Sequence, residues 1–190
     1  MDEASRNALK RALKLAAYVV LVPSLVLIVA IGVLKFIGAS GYVVQGDSMN
    51  PTLSSGEYLV IGPHEGEVGD IIAFYPTAAW KESGVHIPDN GVLLKRVVAS
   101  SGDTVRVGND SVFINGERVD SLPDSCTPHE LNGSDELTLT GGEYFVIGDN
   151  RDESLDSRAV SCSTSLRESV VNEAQVLAVG TAYTWKGRVQ

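Results

Sequence analysis

Residues 15–34 form a run of twenty residues without a charged side chain, and this run limits the possible folds more than any other feature of the chain. At 1.5 Å per residue, a helix of this length spans the hydrocarbon core of a bilayer, which is about 30 Å thick. A helix in the core of a soluble protein is rarely apolar on every face over such a length. Pro23 is compatible with a membrane helix, where neighbouring groups accommodate proline. The run therefore predicts a transmembrane anchor, which we place at residues 15–39.

The charges on the two sides of the run predict its orientation. Residues 1–14 carry four Lys and Arg against two acidic residues, so the total charge of −9 leaves −11 for the rest of the chain. Since basic segments remain on the cytoplasmic side, we expect a cytoplasmic basic arm at residues 1–14 and an extracytoplasmic body. A body this acidic is poorly suited to nucleic acid, which needs clustered Lys and Arg.

A cleaved signal peptide is the main alternative to an anchor, because it shares the basic start. Its apolar segment is roughly 7–15 residues long, however, and ends at a small-x-small site. The nearest such site here is Gly38-Ala39-Ser40, which lies late. We therefore expect a single-pass protein of the cell membrane that keeps its anchor.

After residue 40 the sequence changes to short runs with the composition of β-strands. Gly- and Pro-containing turns separate the runs, a spacing that predicts an all-β domain over residues 40–190 with a barrel-like or sandwich arrangement. Residues 110–140 are expected to contain a variable insert, since 120–140 are rich in Ser, Asp, Pro and Gly. The expected strands are Tyr42–Val44, Tyr58–Ile61, Ile71–Tyr75, Val92–Val98, Thr104–Val107, Val112–Ile114, Tyr144–Ile147, Val176–Val179 and Tyr183–Trp185.

A serine and a lysine 47 residues apart carry the first sign of chemistry. Ser48 lies between Gly46, which permits unusual backbone angles, and Pro51, which favours an extended or turned conformation before it. Lys95 lies in the apolar run Val92–Val98, where strand alternation puts it on one face with Leu93 and Val97. Burial there would lower the lysine pKa and leave a neutral amine that can activate a serine.

A third segment, residues 148–158, has six charged side chains and two serines in the sequence Gly-Asp-Asn-Arg-Asp-Glu-Ser-Leu-Asp-Ser-Arg. Such a segment is usually a solvated loop. The alternative is a buried network in which arginines bind carboxylates and a serine orients the lysine.

In this order the segments resemble the motifs of bacterial type I signal peptidases, which are membrane-anchored serine–lysine proteases. The serine motif is similar to residues 46–53, a Gly-Asp strand motif to 69–74, the lysine motif to 94–98 with Gly102-Asp103, and the Gly-Asp-Asn-Arg motif to 148–158. The resemblance implies an endopeptidase that removes signal peptides from exported preproteins after a small-x-small motif. It also implies a signal-peptidase-like β domain without a cofactor, with signal peptides, the bilayer and a secretion translocon as partners.

The resemblance further implies a role for individual residues. Ser48 is expected to be the nucleophile and Lys95 the general base, with Ser154 hydrogen-bonded to the lysine. The carboxylates and the guanidinium of Asp149, Asp156 and Arg158 are expected to hold the third motif against the site. Some family members place a serine hydroxyl two positions before the nucleophile, where this chain has Gly46, so only the backbone could contribute there.

Three other functions share part of this sequence pattern. A related peptidase with one dedicated client, such as a pilin-processing or conjugation-associated enzyme, would have the same motifs. A self-cleaving repressor would need a DNA-binding domain where this chain has its apolar run. An inactive homologue acting as an assembly chaperone would be expected to lack Ser48 or Lys95.

The two cysteines and three histidines give separate predictions. Cys126 and Cys162 are the only cysteines, their spacing fits no zinc or redox motif, and both fall in the part expected outside the cytoplasm, where disulfides persist. We therefore predict a disulfide between them, with two independent thiols as the alternative. His64, His86 and His129 lie in no metal-ligand spacing, so we expect no metal site.

Overall fold

The computed structural model describes residues 3–36, 39–62, 66–88, 91–108, 110–124, 126, 136–184 and 186–189. The chain divides into two compact units, residues 1–39 and residues 40–190. Part of the expected insert, at 125 and 127–135, lies outside the described residues, as do His64 and His129.

The first unit contains one long helix, α1, at Glu3–Phe36, with Pro23 inside it. Its segment Lys10–Val33 is long and apolar enough to cross a membrane, and none of this segment is buried inside the protein. That assignment rests on length and composition alone, and an N-terminal signal sequence would meet the same criteria.

The second unit consists mainly of antiparallel β-sheet, as predicted. The described residues form the strands β1 (Ser40–Val43), β2 (Tyr58–Ile61), β3 (Ile71–Phe74), β4 (Leu93–Ala99), β5 (Thr104–Val107), β6 (Ser111–Ile114), β7 (Glu117–Ser121), β8 (Glu136–Thr138), β9 (Glu143–Ile147), β10 (Val171–Asn172), β11 (Val176–Gly180), β12 (Ala182–Thr184) and β13 (Gly187–Arg188). Three short helices accompany them, α2 (Ala78–Glu82), α3 (Ser157–Ser163) and α4 (Leu166–Ser169), with a 3-10 turn at Glu173–Gln175.

The strands form three sheets, and every described pairing is antiparallel. The orders are β1-β2-β12-β13, β10-β9-β4-β3-β11 and β7-β6-β5-β8. β4 is the central strand of the five-stranded sheet, with β3 on one side and β9 on the other. The expected fold class, a mainly β protein with one N-terminal apolar helix, is thereby confirmed.

Strand β4 alternates strictly between buried and partly exposed residues, as the sequence predicted. Leu93, Lys95, Val97 and Ala99 are buried, while the intervening residues are partly exposed. The apolar neighbours of Lys95 on this face, Leu93 and Val97, belong to a buried cluster with Trp80, Val146 and other side chains. The lysine therefore lies on the buried face of the central strand.

The structure differs from the sequence expectation in two segments. β7 and β8 occupy parts of the 120–140 region that was expected to be irregular. Most residues of β7 are exposed, so its sequence lacks the apolar alternation by which strands are recognised. The chain enters β7 through a tight turn at Asn115 and Gly116, which both have positive φ, as is usual for an Asn-Gly hairpin turn.

Helix α3 begins inside the third motif, a segment in which the sequence did not predict a helix. Asp156 is its N-cap, and the carboxylate of Asp156 accepts a hydrogen bond from the Arg158 N–H. Aspartate is among the preferred N-cap residues because its oxygen satisfies a free N–H group of the first turn. The local signal for a helix was therefore present, but the density of charges hid it.

Candidate active site

The Ser48 loop follows β1 and is fixed by apolar side chains on both sides of the serine. Val44 N–H donates to the Glu57 carbonyl at 2.9 Å, and Gly46 then turns the chain with φ of +80°. After the serine, Met49 and Leu53 are buried in one apolar cluster with the body of the sheet. The predicted need for glycine at position 46 thus has a structural reason, because residues with a side chain rarely adopt this φ.

Ser48 and Lys95 meet although 47 residues separate them. The Lys95 Nζ atom lies 2.7 Å from Ser48 Oγ, which is hydrogen-bond distance. Only 2% of the Lys95 side chain is exposed, whereas Ser48 is partly accessible. The structure therefore brings together a buried amine and an accessible hydroxyl, the arrangement that activates a serine nucleophile.

Burial lowers the pKa of Lys95 from 10.5 to about 8. Removal from water is the largest cause, because it disfavours the charged ammonium. The Asp156 and Asp149 carboxylates oppose this effect and Arg158 adds to it. Desolvation prevails, so a substantial fraction of the lysine is neutral near pH 8.

Asp156 and Arg158 form a buried ion pair that organises the third motif. Arg158 donates to both carboxylate oxygens of Asp156, from Nε at 2.9 Å and from Nη2 at 3.0 Å. Asp156 also accepts from the Gly148 N–H at 3.0 Å, and Arg158 donates to the Arg151 carbonyl at 2.9 Å. This ion pair near the end of the third motif thus bonds back to Gly148 and Arg151 near its start. The third motif is therefore a buried network, which was one of the two alternatives drawn from the sequence.

Asp149 connects the third motif to the lysine strand. Its carboxylate accepts two bonds from Arg96, from Nε at 2.8 Å and from Nη2 at 2.6 Å. Burial alone raises the pKa of Asp149, but hydrogen bonds from Arg96 and Thr52 outweigh it and hold the pKa below its usual value. Arg96 also donates to the Gly69 carbonyl, so it joins the Gly-Asp strand motif to the same network.

Asn150 connects the third motif to the serine loop, a role that the sequence did not reveal. Its backbone N–H donates to the Ser48 carbonyl at 3.1 Å, and its side-chain Nδ2 donates to the Asp47 carbonyl at 3.1 Å. Since 103 residues separate Asn150 from Asp47, no local pattern could have indicated the contact.

The expected hydrogen bond between Ser154 and Lys95 is absent from the structure. Ser154 is buried, and its Oγ atom has no hydrogen-bond partner among the described residues. The hydroxyl lies instead against Gly148, where a side chain would collide with it and with the Ser48 carbonyl oxygen. The sequence did not indicate that position 148 has to be glycine in order to leave room for both groups.

A cleft of about 210 Å³ opens beside the two reactive groups. Its walls include two continuous stretches, residues 42–49 and 92–95, together with parts of the segments 85–88 and 153–155. β1 is an edge strand of its sheet, and β9 pairs only with the second half of β4, from Arg96 to Ala99. Among the described strands, both long walls therefore offer backbone edges to an extended chain. No group of three or more potential metal ligands occurs in the described ranges.

The two cysteines are bonded to each other, with Cα atoms 5.6 Å apart. Cys126 follows β7, and Cys162 lies in α3, four residues after Arg158. The bond therefore joins the expected insert, at Cys126, to the helix that leaves the third motif.

Comparison with known proteins gives one family. The family model described as signal peptidase, peptidase S26, matches residues 15–185. Among curated proteins the chain is similar to a probable signal peptidase I-2 of Synechocystis sp., with 33% identity over 135 residues, covering 68% of this chain and 59% of that protein. It is 36% identical over 131 residues to signal peptidase I S of Bacillus subtilis, covering 62% and 65%. With signal peptidase I of Bacillus caldolyticus it shares 33% identity over 155 residues, covering 72% and 78%.

The matched region spans 59% of the Synechocystis protein and 65% of the Bacillus subtilis protein, which is less than two thirds of each. A crystal structure of a signal peptidase I from Enterococcus faecalis is 27% identical, covers 62% of this chain and 98% of that one, and has a TM-score of 0.34. The description of the fold rests on the strands of this chain and not on that likeness.

Proposed function

This chain belongs to the signal peptidase family, peptidase S26, and on that premise we propose that it is a membrane-anchored serine endopeptidase that removes signal peptides from exported preproteins. The observation that carries the proposal is the 2.7 Å approach of Lys95 Nζ to Ser48 Oγ in a setting that lowers the pKa of the lysine to about 8. The relatives named signal peptidase I support the same assignment.

In the proposed reaction, neutral Lys95 acts as the general base and Ser48 as the nucleophile. The Ser48 hydroxyl donates its proton to Nζ while Oγ forms a bond to the carbonyl carbon of the peptide. The resulting ammonium then donates that proton to the nitrogen of the leaving amine as the C–N bond breaks. An ester between Ser48 and the signal peptide remains.

Water completes the cycle. Lys95, neutral again, takes a proton from a water molecule that attacks the ester carbonyl, and the returning proton restores the Ser48 hydroxyl. By resemblance to the family, the backbone N–H of Ser48 supplies the hydrogen bond to the oxyanion. Gly46 contributes through its backbone at most, because it carries no hydroxyl.

The supporting residues act by position. Asp156 and Arg158 hold the third motif closed, and Asp149 attaches it to the strand that bears Lys95. Ser154 is buried without a partner, and an unsatisfied hydroxyl in the interior costs about 1–3 kcal/mol.

Substrate is proposed to bind as an extended strand in the cleft. The edge of β1 and the first half of β4 offer backbone groups to such a strand, which is the usual mode of β-strand addition. The proposed cleavage after a small-x-small motif places small side chains in this cleft.

The membrane arrangement belongs to the same proposal. Residues 1–14 form a cytoplasmic arm, 15–39 an uncleaved anchor, and 40–190 an extracytoplasmic catalytic domain with a variable insert at about 110–140. The basic arm and the apolar helix support this orientation. The partners are signal peptides, lipid and a secretion translocon, and no cofactor is required.

The test is cleavage of a preprotein by the full chain in detergent, followed by sequencing of the new N-terminus. We expect one cut after a small-x-small site. Ser48→Ala and Lys95→Ala should each reduce kcat/KM by at least about 10³-fold, and the double variant should be little worse, because groups that act as a unit are not additive. Ser54→Ala and Lys81→Ala, at exposed positions, are the matched controls and should retain activity.

Cleavage by Ser48→Ala at a rate near that of the unaltered protein would contradict the proposal. Loss of activity in the two controls as well would show that the variants fail for a general reason, so folding is checked by circular dichroism for each.

A further inference from the structure

The charged side chains that line the cleft are mostly acidic when Lys95 is neutral. Asp47 and Glu153 contribute carboxylates, and both residues are exposed. The lysine of the cleft, Lys95, must be neutral when it acts as a base, which leaves His86 as the other basic group among the described lining residues. In its reactive form the cleft therefore presents mainly negative charge to its substrate.

Glu153 is held close to the nucleophile by Asn150. The Asn150 Nδ2 donates to Glu153 Oε2 at 3.2 Å and to the Asp47 carbonyl at 3.1 Å, while the backbone N–H of Asn150 donates to the Ser48 carbonyl. The Glu153 N–H in turn donates to the Asn150 carbonyl at 3.2 Å. The carboxylate is thus attached to a turn that itself contacts the serine loop, so it occupies a defined place beside Ser48.

The cleft offers two kinds of lining to a preprotein, one apolar and one charged. The wall formed by residues 92–95 is apolar apart from Lys95, and it suits the small side chains that precede the cleaved bond. Glu153 and Asp47 are exposed to water beside the nucleophile. The residues after the bond belong to a soluble mature protein and can bring charged side chains to this position.

We propose that Glu153 is a specificity-determining residue that favours preproteins with Lys or Arg, and disfavours those with Asp or Glu, at the first or second position after the cleaved bond. The inference rests on the proposed function, since it concerns the substrate of the same site. A carboxylate at this place attracts a cation and repels an anion. Because the group is exposed, each interaction is worth about a twofold to fivefold change in kcat/KM.

The experiment uses the full chain in non-ionic detergent with pairs of peptides in direct competition. The peptides share one Ala-x-Ala sequence and differ only by Lys or Glu at a single position, either after or before the bond. The readout is the ratio of kcat/KM for the Lys peptide over the Glu peptide, measured by mass spectrometry. For the unaltered protein we expect a ratio of about ten after the bond, and a decline toward one in about 0.5 M salt, where charges are screened.

Variants at position 153 then test the assignment. Glu153→Gln removes the charge but keeps an oxygen that can accept from Asn150, so both interactions are lost and the ratio should fall from about ten toward one. Glu153→Lys should lower the ratio further and favour the Glu peptide. Glu117→Gln removes an exposed carboxylate on β7, outside the cleft, and should leave the ratio unchanged.

Each outcome distinguishes the two proposals. If the unaltered protein cleaves none of the peptides, and no preprotein, the proposed function fails. If it cleaves them with a ratio that Glu153→Gln and Glu153→Lys do not change, or with a charge preference only before the bond, the proposed function stands and the role of Glu153 is wrong.

Discussion

Lys95 illustrates how one side chain acquires a function from its surroundings. An ammonium group in water has a pKa near 10.5, and the carboxylates of Asp156 and Asp149 would hold it there or higher. The loss of hydration on the buried face of β4 has the larger effect and brings the pKa to about 8. A lysine with this pKa is partly neutral near physiological pH, as the proposed general base must be.

The pH dependence of cleavage tests this balance. In the proposed mechanism the neutral amine is the active form, so kcat/KM should rise about tenfold per pH unit at low pH and level off above a midpoint near 8. Asp149→Asn removes an anion that raises the lysine pKa and leaves Arg96 without that counter-charge, so the midpoint should move to lower pH. The measurement is kcat/KM for a neutral peptide between about pH 6 and pH 10.

Glu117→Gln serves as the control for the same experiment and should leave the midpoint unchanged, since Glu117 is not among the groups that shift the lysine. A midpoint near 10.5 in the unaltered protein would show that Lys95 is solvated. A shift of the Asp149→Asn midpoint to higher pH would contradict the assigned sign.

At the scale of structural elements, the third motif works as a connector. Its ion pair fixes the start of α3, Asp149 bonds to the strand of the lysine, and Asn150 bonds to the loop of the serine. The serine loop and the lysine strand are thereby attached to one segment.

The close packing of the Ser48 carbonyl and the Ser154 side chain against Gly148 gives the second prediction. A Cβ atom at this position would collide with the Ser48 carbonyl and with the side chain of Ser154. Gly148→Ala should therefore displace the serine loop, reduce kcat strongly, and cost about 1–3 kcal/mol of stability, as overpacking does. The measurements are kcat and the thermal midpoint Tm of the full chain in detergent.

Gly141→Ala is the matched control, because a Cβ atom at Gly141 meets nothing within 4 Å. It should change Tm and kcat little, in line with surface substitutions of about 0.5 kcal/mol or less. Equal behaviour of the two variants would contradict the steric role of Gly148.

The disulfide gives the third prediction. It closes a loop with a sequence separation of 36, for which the chain-entropy model estimates about 4 kcal/mol of stabilisation. The double variant Cys126→Ser/Cys162→Ser should therefore have a clearly lower Tm than the unaltered protein. Addition of reductant should lower the Tm of the unaltered protein but not that of the variant.

A chemical count of thiols is the independent check. After unfolding without reductant, the bridged protein has no thiol to alkylate. Two alkylated cysteines per chain, seen by mass spectrometry of material from an oxidising compartment, would rule out the bond.

At the scale of the whole molecule, the fourth prediction concerns topology. The basic arm and the apolar helix predict an N-terminus inside the cell and residues 40–190 outside, in one uncleaved chain. Protease added to intact cells or protoplasts should digest the body and leave the arm. An epitope tag at the N-terminus should be protected until the membrane is permeabilised.

A soluble secreted form that begins near Gly41 would show instead that the helix is a cleaved signal sequence. Digestion of the N-terminal tag in intact cells, with protection of the body, would show the reverse orientation.

Several features follow from the sequence because their causes are local. The period of two that buries Lys95 is a property of any extended strand, and it is legible in Val92–Val98 without knowledge of the neighbours. The length of the apolar run and the tight turn at Asn115 and Gly116 are equally local. The serine and the lysine were identified because their motifs resemble those of a known family.

Other features were decided by the tertiary structure because they depend on distant partners. Packing of the serine loop and the sheet sets the 2.7 Å approach of Ser48 to Lys95, and the contact of Asn150 with the serine loop joins segments about a hundred residues apart. Ser154 shows the limit most clearly. The resemblance implied a hydrogen bond between Ser154 and the lysine, but in the structure the Ser154 hydroxyl lies against Gly148 and has no partner among the described residues. Sequence patterns record which face a residue occupies, whereas the partner it meets there depends on how separate segments pack.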